Sequence, residues 1–283
     1  MEKRRMCPNC RAFISTSDRV CPYCEAQVGP RAIDLRSAQI GFTSMPRANM
    51  TSIIILVVNI TFFVLELIVN YQRYQGPPDT LFPQTLVDMG AKFAPYIHGG
   101  QYWRLITAGF LHGGFLHIAM NSWVLFDLVS EVEQFYGTSR LVFAYIFSTI
   151  TGFWLSSLWH PLAPSVGASA ACFGLIGIML AMGLRQRSDP MTQAVRAYYG
   201  RWAIYAMVFS FLPGFNTDIA AHVGGLAGGF VVGIVAGLPG LPDTPREQLW
   251  KTLAGVAVAL TVYAFLQDFL AFSGFTRHAN PYS

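Results

Sequence analysis

The chain has 283 residues, of which 53% are hydrophobic and only 12% are charged, and its mean hydropathy is positive. Soluble domains carry about 25% charged residues, so this composition excludes an ordinary soluble enzyme and indicates a membrane protein. The formal net charge is +4, but the basic residues form no contiguous patch interleaved with aromatic residues. Nucleic acid is therefore not an expected partner.

The first 29 residues are polar and carry two Cys-x-x-Cys pairs that ten residues separate. This spacing is typical of a zinc ribbon, in which four thiolates surround one Zn²⁺ ion. The sequence therefore predicts a ribbon over residues 1–29 that binds a structural zinc through Cys7, Cys10, Cys21 and Cys24. Disulfides or unrelated cysteines are the alternative, which the shared Cys-Pro-x-Cys form disfavours. The first apolar segment starts only near Ile53, so we expect a cytosolic N-terminus with reduced thiols.

Residues 30–50, which contain Pro, Gly and scattered basic residues, are predicted to form a linker. Seven apolar segments follow, each close to the roughly 20 residues that a helix needs to cross a bilayer. Their centres lie near Val58, Leu125, Ser148, Ile176, Ala206, Phe230 and Ala259. Residues 71–116 are too polar and too rich in Gly and Pro to span simply, and are predicted to be a long structured loop.

The positions of the basic residues predict the orientation of these spans. With a cytosolic N-terminus, strict alternation places fifteen Lys and Arg residues inside and four outside. This is the bias of the positive-inside rule, and it favours seven spans with the C-terminus on the outer side. We therefore expect a multi-pass integral membrane protein, in contact with the lipid bilayer, in the plasma (inner) membrane of a bacterium.

Four polar residues lie at the predicted outer ends of three spans, where polar side chains are costly and need an explanation. His117 and Asn121 open the second span, and their i, i+4 spacing places both on one helix face. Ser169 starts the fourth span, and His222 lies near the start of the sixth. Because all three spans enter from the same side, the four side chains are predicted to lie at similar depth in one cavity.

Glycines after the serine and the histidine would let these helices pack closely, at positions Gly174, Gly177, Gly224, Gly225, Gly228 and Gly229. Close packing would bring Ser169 Oγ within reach of a ring nitrogen of His222, which activates a weak nucleophile. The Ser169 N–H near a helix N-terminus, with the His117 and Asn121 side chains, offers donors for an oxyanion. No Asp is evidently placed to orient His222, so a Ser–His dyad is the simpler interpretation. A packing surface and a structural histidine are the alternative.

Several separate motifs, between about Ile53 and Leu238, resemble those of the rhomboid family of intramembrane serine proteases. They are Tyr102-Trp103-Arg104 with Leu111-His112, His117-x-x-x-Asn121, Glu133 with Gly137, Gly167-Ala168-Ser169, and Ala221-His222-Val223-Gly224-Gly225. The resemblance implies an all-α polytopic fold with a six-helix core over residues 51–238. The segment 239–283, with a seventh helix and a tail, and the ribbon would be additions to that core.

The resemblance further implies a Ser169–His222 dyad, with the Ser169 N–H, His117 and Asn121 forming the oxyanion hole and Phe173 packing on the catalytic histidine. It implies that a further set of residues is mainly structural and braces the first loop: Trp103, Arg104, His112 and Glu133. The implied substrates are single-span proteins with small or helix-breaking residues near the cut. Catalysis would need no cofactor.

One position departs from the family pattern, since Ala170 follows the nucleophile where Gly is usual. A positive φ there would make the added methyl costly, whereas close packing alone would make it a modest perturbation. A catalytically weak or inactive rhomboid-like protein that binds transmembrane helices is the main alternative function. A transporter or channel would need repeats or a charged path, and Glu66 and Asp127 form no evident relay. A cytosolic partner of the ribbon, on the side opposite the site, stays open.

Overall fold

The architecture comes from a computed structural model, which describes residues 4–7, 9–15, 18–28, 50–77, 80–185, 190–211, 217–240 and 244–273. The chain divides into two compact units, Met1–Pro46 and Arg47–Ser283. The predicted linker, residues 30–50, lies outside the described residues except for Met50, which begins the first helix.

The N-terminal unit contains strands β1 (Arg4–Met6) and β2 (Phe13–Ser15), which pair in antiparallel fashion. The backbone N–H of Cys7 donates to the carbonyl five residues later (2.8 Å), and Cys21 repeats this turn (2.9 Å). The two Cys-x-x-Cys pairs therefore occupy equivalent turns. The buried apolar cluster of the described part of this unit consists of four residues, Cys7, Ile14, Cys21 and Val28. So small a cluster leaves little apolar burial to stabilise the unit.

The described residues of the second unit form nine helices. These are α1 (Met50–Tyr74), α2 (Pro83–Asp88), α3 (Ala94–His98), α4 (Arg104–Thr107), α5 (Phe115–Trp159), α6 (Ser169–Arg185), α7 (Pro190–Phe209), α8 (Ile219–Ala236) and α9 (Pro245–Phe272). Helices α1, α5, α8 and α9 are long and apolar enough to cross a membrane. The predicted centres of all seven spans fall within these helices.

Helix α5 contains two of the predicted spans. It has 45 residues, more than twice the roughly 20 that cross a bilayer, and its backbone leaves helical dihedrals at Gly137 (φ 76°, ψ 160°). The shorter α6, with 17 residues, is the central helix. Every residue from Ala170 to Met179 is buried, because α6 contacts α5, α7 and α8. A helix surrounded by other helices is apolar on all sides, as the sequence of α6 is.

Helices α6 and α8 approach backbone to backbone. A Cβ atom built on Gly229 would lie 1.8 Å from the carbonyl oxygen of Gly174, so a larger residue would force the helices apart. This close approach is what the glycines of the two motifs predicted, and small residues at helix interfaces permit it in membranes generally. It fixes the start of α8 beside the start of α6.

Buried polar side chains hold the loop between α1 and α5 in place through hydrogen bonds. The Asn70 amide donates to Thr80 O (2.9 Å) and accepts from Phe82 N (3.1 Å). Arg104 is buried and donates to the carbonyls of Val87 (2.6 Å) and Ala91 (3.0 Å), which joins α4 to α2. Arg104 thus has the structural position that the resemblance implies.

Glu133 does not brace this loop, so that expectation is wrong. Its Oε1 accepts hydrogen bonds from Thr51 (2.7 Å) and Thr138 (2.5 Å), which joins the start of α1 to the Gly137 break. The loop ends at the start of α5, 18 residues before Glu133. At 1.5 Å per residue that separation is about 27 Å along the helix, which no Glu side chain can reach across.

Helix α9, the seventh span, is joined to the rest of the unit near both of its ends. In its first turn, Glu247 forms a two-point ion pair with Arg140 of α5, at 2.6 and 2.7 Å. Towards its other end, Phe265 stacks on Phe62 of α1, with ring centroids 4.2 Å apart. Arg73 lies over the Phe272 ring at 4.0 Å from its centroid.

Candidate active site

Ser169 and His222 meet at one end of the helical bundle. Their contact joins His222 Nε2 to Ser169 Oγ at 2.9 Å, across 53 residues of sequence. Ser169 is the first residue of α6, and it is half-buried. His222 lies in the first turn of α8 and is buried. The structure therefore brings together the two residues that the sequence proposed as nucleophile and base.

The start of α8, and with it the position of His222, is set by an N-cap. The Asp218 carboxylate accepts from Ala221 N (3.0 Å), and its backbone carbonyl accepts from His222 N (3.1 Å). Asp is among the best N-cap residues because its oxygen satisfies an N–H that has no partner within the helix. Ser156 of α5 donates to the same carboxylate. The N-cap thus ties the first turn of α8 to α5.

The segment before Ser169 is held by the loop between α1 and α5. Lys92 pairs with Ser165 in a short antiparallel bridge, and its Nζ donates to His160 O (3.0 Å) and Ala163 O (2.7 Å). The Lys92 side chain is fully buried, and this burial lowers its pKa, an effect that the nearby Asp218 carboxylate opposes. The loop therefore holds the segment that leads into Ser169.

Gly167 adopts a backbone conformation that side-chain-bearing residues rarely take, with φ +129°. Its N–H donates to Ala108 O at 2.9 Å, which joins it to the loop. A Cβ atom on Gly167 would lie 2.7 Å from Nε2 of His117 and 3.7 Å from Nδ2 of Asn121. Both side chains therefore face the backbone that leads into Ser169.

The hydrogen bonds of His117 indicate which of its nitrogens carries the proton. Gly113 N donates to His117 Nδ1 at 3.2 Å, so in the neutral ring Nε2 is the N–H that faces Gly167. The Asn121 side chain is buried, and its Nδ2 donor has no hydrogen-bond partner among the described residues. Buried donors nearly always have partners, so a free donor beside Ser169 needs an explanation.

Two further residues contact the His222 ring. Phe173 stacks on it, with centroids 4.3 Å apart and an interplanar angle of 20°, in the place that the resemblance implies. Ser210, just after α7, places its Oγ 2.9 Å from His222 Nδ1. The sequence predicted a dyad in which no Asp orients the histidine, and the contact with Ser210 was not predicted. Its hydroxyl lies at the end of the fifth predicted span, on the same predicted side of the membrane as Ser169, and this position could have indicated it.

Ala170, which follows Ser169 where the family usually has Gly, does not have a positive φ. Among the described residues other than glycine, the positive φ values belong to Arg11, Glu25 and Gln75, so Ala170 has an ordinary helical backbone. Its methyl group is fully buried in the space that Gly152 of α5 leaves open, where a Cβ would lie 2.7 Å from it. The replacement of the usual Gly by Ala170 therefore affects the packing of α6 on α5 and does not strain the backbone.

The four cysteines of the N-terminal unit lie close together. Their sulfur atoms are all within 4.8 Å of one another, and the Cys7–Cys24 and Cys10–Cys21 pairs are 3.7 Å apart. Four sulfurs at about 2.3 Å from a central zinc stand about 3.8 Å apart in a tetrahedron. A disulfide would need about 2.05 Å, and all four thiols are free. The residues present therefore fit a tetrahedral metal ion.

Comparisons with known proteins identify the family of the chain. A family model described as the rhomboid domain matches residues 99–238. The rhomboid protease GluP of Bacillus subtilis (strain 168) is 34% identical over 196 residues, which are 68% of this chain and 36% of that protein. Rhomboid-like protease 3 of Toxoplasma gondii is 36% identical over 147 residues, which are 52% of this chain and 56% of that protein. The rhomboid-related YdcA, from the same Bacillus strain, is 35% identical over 137 residues, covering 48% of this chain and 68% of its own length. The chain belongs to the rhomboid family.

The stretch that matches the rhomboid domain contains Ser169, His222, His117 and Asn121. Relatives are named proteases, so membership places the chain in a family of intramembrane proteases. The chain spans 36% of the length of GluP and 56% of that of Rhomboid-like protease 3. The apolar helices and the family together make it an integral membrane protein.

Proposed function

We propose that this rhomboid-family protein is an intramembrane serine endopeptidase that cuts transmembrane segments of other proteins through a Ser169–His222 dyad. The observation that carries the proposal is the 2.9 Å contact between His222 Nε2 and Ser169 Oγ. The two residues come from the first turns of different helices, α6 and α8, and their contact is only partly buried. A ring nitrogen at hydrogen-bond distance is what a serine hydroxyl needs to act as a nucleophile.

The reaction follows the general course of serine proteolysis. Ser169 Oγ attacks the scissile carbonyl carbon while its proton passes to His222 Nε2, and the carbonyl oxygen becomes an oxyanion. The C–N bond then breaks as His222 returns the proton to the leaving amine, which leaves an acyl group on Ser169. A water molecule attacks this ester and loses a proton to His222. The bond between the acyl carbon and Ser169 Oγ then breaks, His222 returns the proton to Oγ, and the carboxylic acid is released.

Three donors beside the nucleophile support an oxyanion hole. The Ser169 N–H lies at the N-terminus of α6, where backbone N–H groups lack partners within the helix. The His117 Nε2–H and the unpartnered Asn121 Nδ2 face the adjacent Gly167 backbone. Donors fixed in advance around the developing charge usually provide the largest share of catalysis.

The catalytic assay uses purified protein in liposomes with a single-span substrate that has small, helix-breaking residues in its segment. We expect wild type to cleave it and Ser169→Ala and His222→Ala to leave it intact. Ser157→Ala is the matched control, since Ser157 is a buried serine that donates to its own helix at Trp154 O (2.7 Å). Equal cleavage by wild type and Ser169→Ala would refute the proposal. A wild type that binds the substrate without cutting it would favour the inactive alternative.

The proposed orientation places the N-terminus in the cytosol and the Ser169 end of the bundle on the outer side of a bacterial plasma membrane. It rests on the fifteen-to-four distribution of basic residues. Single cysteines introduced at each end and treated with a membrane-impermeant maleimide on intact cells test it. Labelling of the N-terminal unit from outside the cell would overturn the orientation.

We further propose that Cys7, Cys10, Cys21 and Cys24 bind one structural zinc ion. Their sulfur spacing fits the tetrahedron, and the small apolar cluster of the unit implies that metal binding provides most of its folding free energy. Elemental analysis should find about one zinc per chain, and a Cys7→Ser, Cys10→Ser variant should lose it. Unchanged zinc in that variant would refute the site. A cytosolic partner of the ribbon stays a prediction.

A further inference from the structure

His222 uses both of its ring nitrogens, and the second contact lies outside the proposed dyad. Nε2 faces Ser169, and Nδ1 lies 2.9 Å from Ser210 Oγ. Ser210 and His222 are both buried, at 7% and 5% exposure, so solvent does not compete for this hydrogen bond. The direction of the bond determines which nitrogen carries the proton.

The hydrogen bonds of Ser210 determine that direction. Its Oγ is 2.8 Å from Ala206 O, a carbonyl oxygen that can only accept. A hydroxyl has a single proton, so the proton of Ser210 points to Ala206 and its oxygen offers a lone pair to His222 Nδ1. The neutral ring must then carry its proton on Nδ1, which leaves the Nε2 lone pair free to accept the Ser169 proton.

We propose that Ser210 is a positioning residue that holds His222 in the Nδ1–H tautomer, the form that can act as a base toward Ser169. The proposal rests on the proposed function of the Ser169–His222 dyad. In Ser-His-Asp triads a carboxylate has this role. Here a neutral hydroxyl, whose proton is bound by a carbonyl of the adjoining helix α7, has it instead.

The burial of the site explains why a hydroxyl is suited to this role. A carboxylate beside Nδ1 would place a charge at a buried position, and moving a charge out of water is costly. Asp218, a carboxylate whose charge acts on His222, is bound by Ala221 N and Ser156 and serves as the N-cap. A serine satisfies Nδ1 without adding a charge.

The backbone of Ser210 is held from both sides, which keeps the hydroxyl in place. Its N–H donates to Ala206 O (3.0 Å), which continues the hydrogen bonding of α7. Its carbonyl accepts from Thr217 Oγ1, and Thr217 directly precedes the N-cap of α8. This hydrogen bond thus joins the residue that follows α7 directly to the start of α8, where His222 lies.

The first test separates kcat from KM. Ser210→Ala should lower kcat by about 10- to 100-fold, the size expected for one lost buried hydrogen bond in the transition state. KM should stay within about twofold, because Ser210 contacts the histidine and not the nucleophile. Ser210→Thr keeps the hydroxyl and should recover most of the rate, whereas Ser157→Ala should behave as wild type. Unchanged kcat in Ser210→Ala, or equal loss in Ser210→Ala and Ser210→Thr, would overturn the proposal.

The second test reads the tautomer directly and needs no turnover. In protein labelled with ¹⁵N-histidine, the His222 signals, assigned by their loss in His222→Gln, should show the proton on Nδ1. In Ser210→Ala the Nε2–H form should grow at its expense. An unchanged ratio would overturn the proposal even if the rates changed. If Ser169→Ala cleaved as wild type while the tautomer still shifted, the dyad would fail and the role of Ser210 in holding the ring would stand.

Discussion

The ion pair at the start of the seventh span allows a quantitative prediction. Arg140 and Glu247 have side chains that are 2% and 10% exposed, and two contacts of 2.6 and 2.7 Å join them. Glu247 also accepts from Gly240 N at 2.9 Å. Glu247→Ala removes the carboxylate that accepts both Arg140 contacts and the Gly240 N–H, and it leaves the Arg140 guanidinium buried without a counter-charge. Removing one member of a buried pair costs about 3–5 kcal/mol, because the remaining charge keeps its desolvation penalty.

The assay is equilibrium unfolding in mixed dodecylmaltoside and SDS micelles, followed by tryptophan fluorescence. Glu247→Ala should lower the free energy of unfolding by about 3–5 kcal/mol, and adding Arg140→Met should recover most of the loss, since no unpaired charge then remains. Lys251→Ala, at an exposed position one turn further along α9, is the control and should change it by less than about 0.5 kcal/mol. An unfolding curve for Glu247→Ala that matches wild type would show that the pair does not stabilise the seventh span.

Three other changes test the surroundings of Ser169. Asn121→Ala should lower kcat by about 10²–10³ with little change in the folded fraction, as measured by cleavage and by thermal unfolding, because one oxyanion donor is lost. Gly167→Ala should abolish most activity, since its φ of +129° disfavours a side chain by about 1–3 kcal/mol and the new methyl would displace His117; full activity would refute the proposed arrangement of donors. Lys92→Met should lower thermal stability and cleavage together, because two carbonyls before Ser169 lose their buried donor; loss of neither would contradict the role of the loop.

Sequence alone predicted the helical content well, because the length of an apolar run reports directly on the thickness of the bilayer. The merging of two predicted spans into α5 was not predicted. A single Gly137 in an apolar context does not show whether the chain turns tightly or simply continues. The long loop was predicted as structured, but its short helices were not. Buried polar residues such as Asn70 hold them in place, and hydropathy does not distinguish a buried polar residue from an exposed one.

The residues of the candidate site that could be predicted are those whose side chains cost free energy when they are placed in a membrane. His222 and His117 stand out because ionisable groups in spans need partners. Ser210 does not stand out, since a serine can bond its own i−4 carbonyl at little cost and so resembles an ordinary helix residue. Lys92 and Asp218 lie in loops, where the periodicity of the sequence does not indicate which residues are buried. Glu133 was wrongly predicted to brace the first loop, because the order of the motifs does not specify which end of a helix a residue faces.

The close approach of α6 and α8 was predicted from the glycines in the two helices. That the packed helices would accommodate the methyl group of Ala170 was not predicted. Whether a methyl group fits depends on the residue facing it, and that residue, Gly152, belongs to α5 and is distant in sequence. Complementary small and larger residues on neighbouring helices are a property of the packed structure.

Covalent labelling of Ser169 tests the central claim most directly. A fluorophosphonate forms a bond between phosphorus and the attacking oxygen as fluoride leaves, so it marks the nucleophile without a known substrate. We expect peptide mass spectrometry to find the adduct on Ser169 in wild type and to find labelling slowed by at least about 10²-fold in His222→Ala, because the base is lost. An adduct on another residue, or equal labelling rates with and without His222, would contradict the Ser169–His222 dyad.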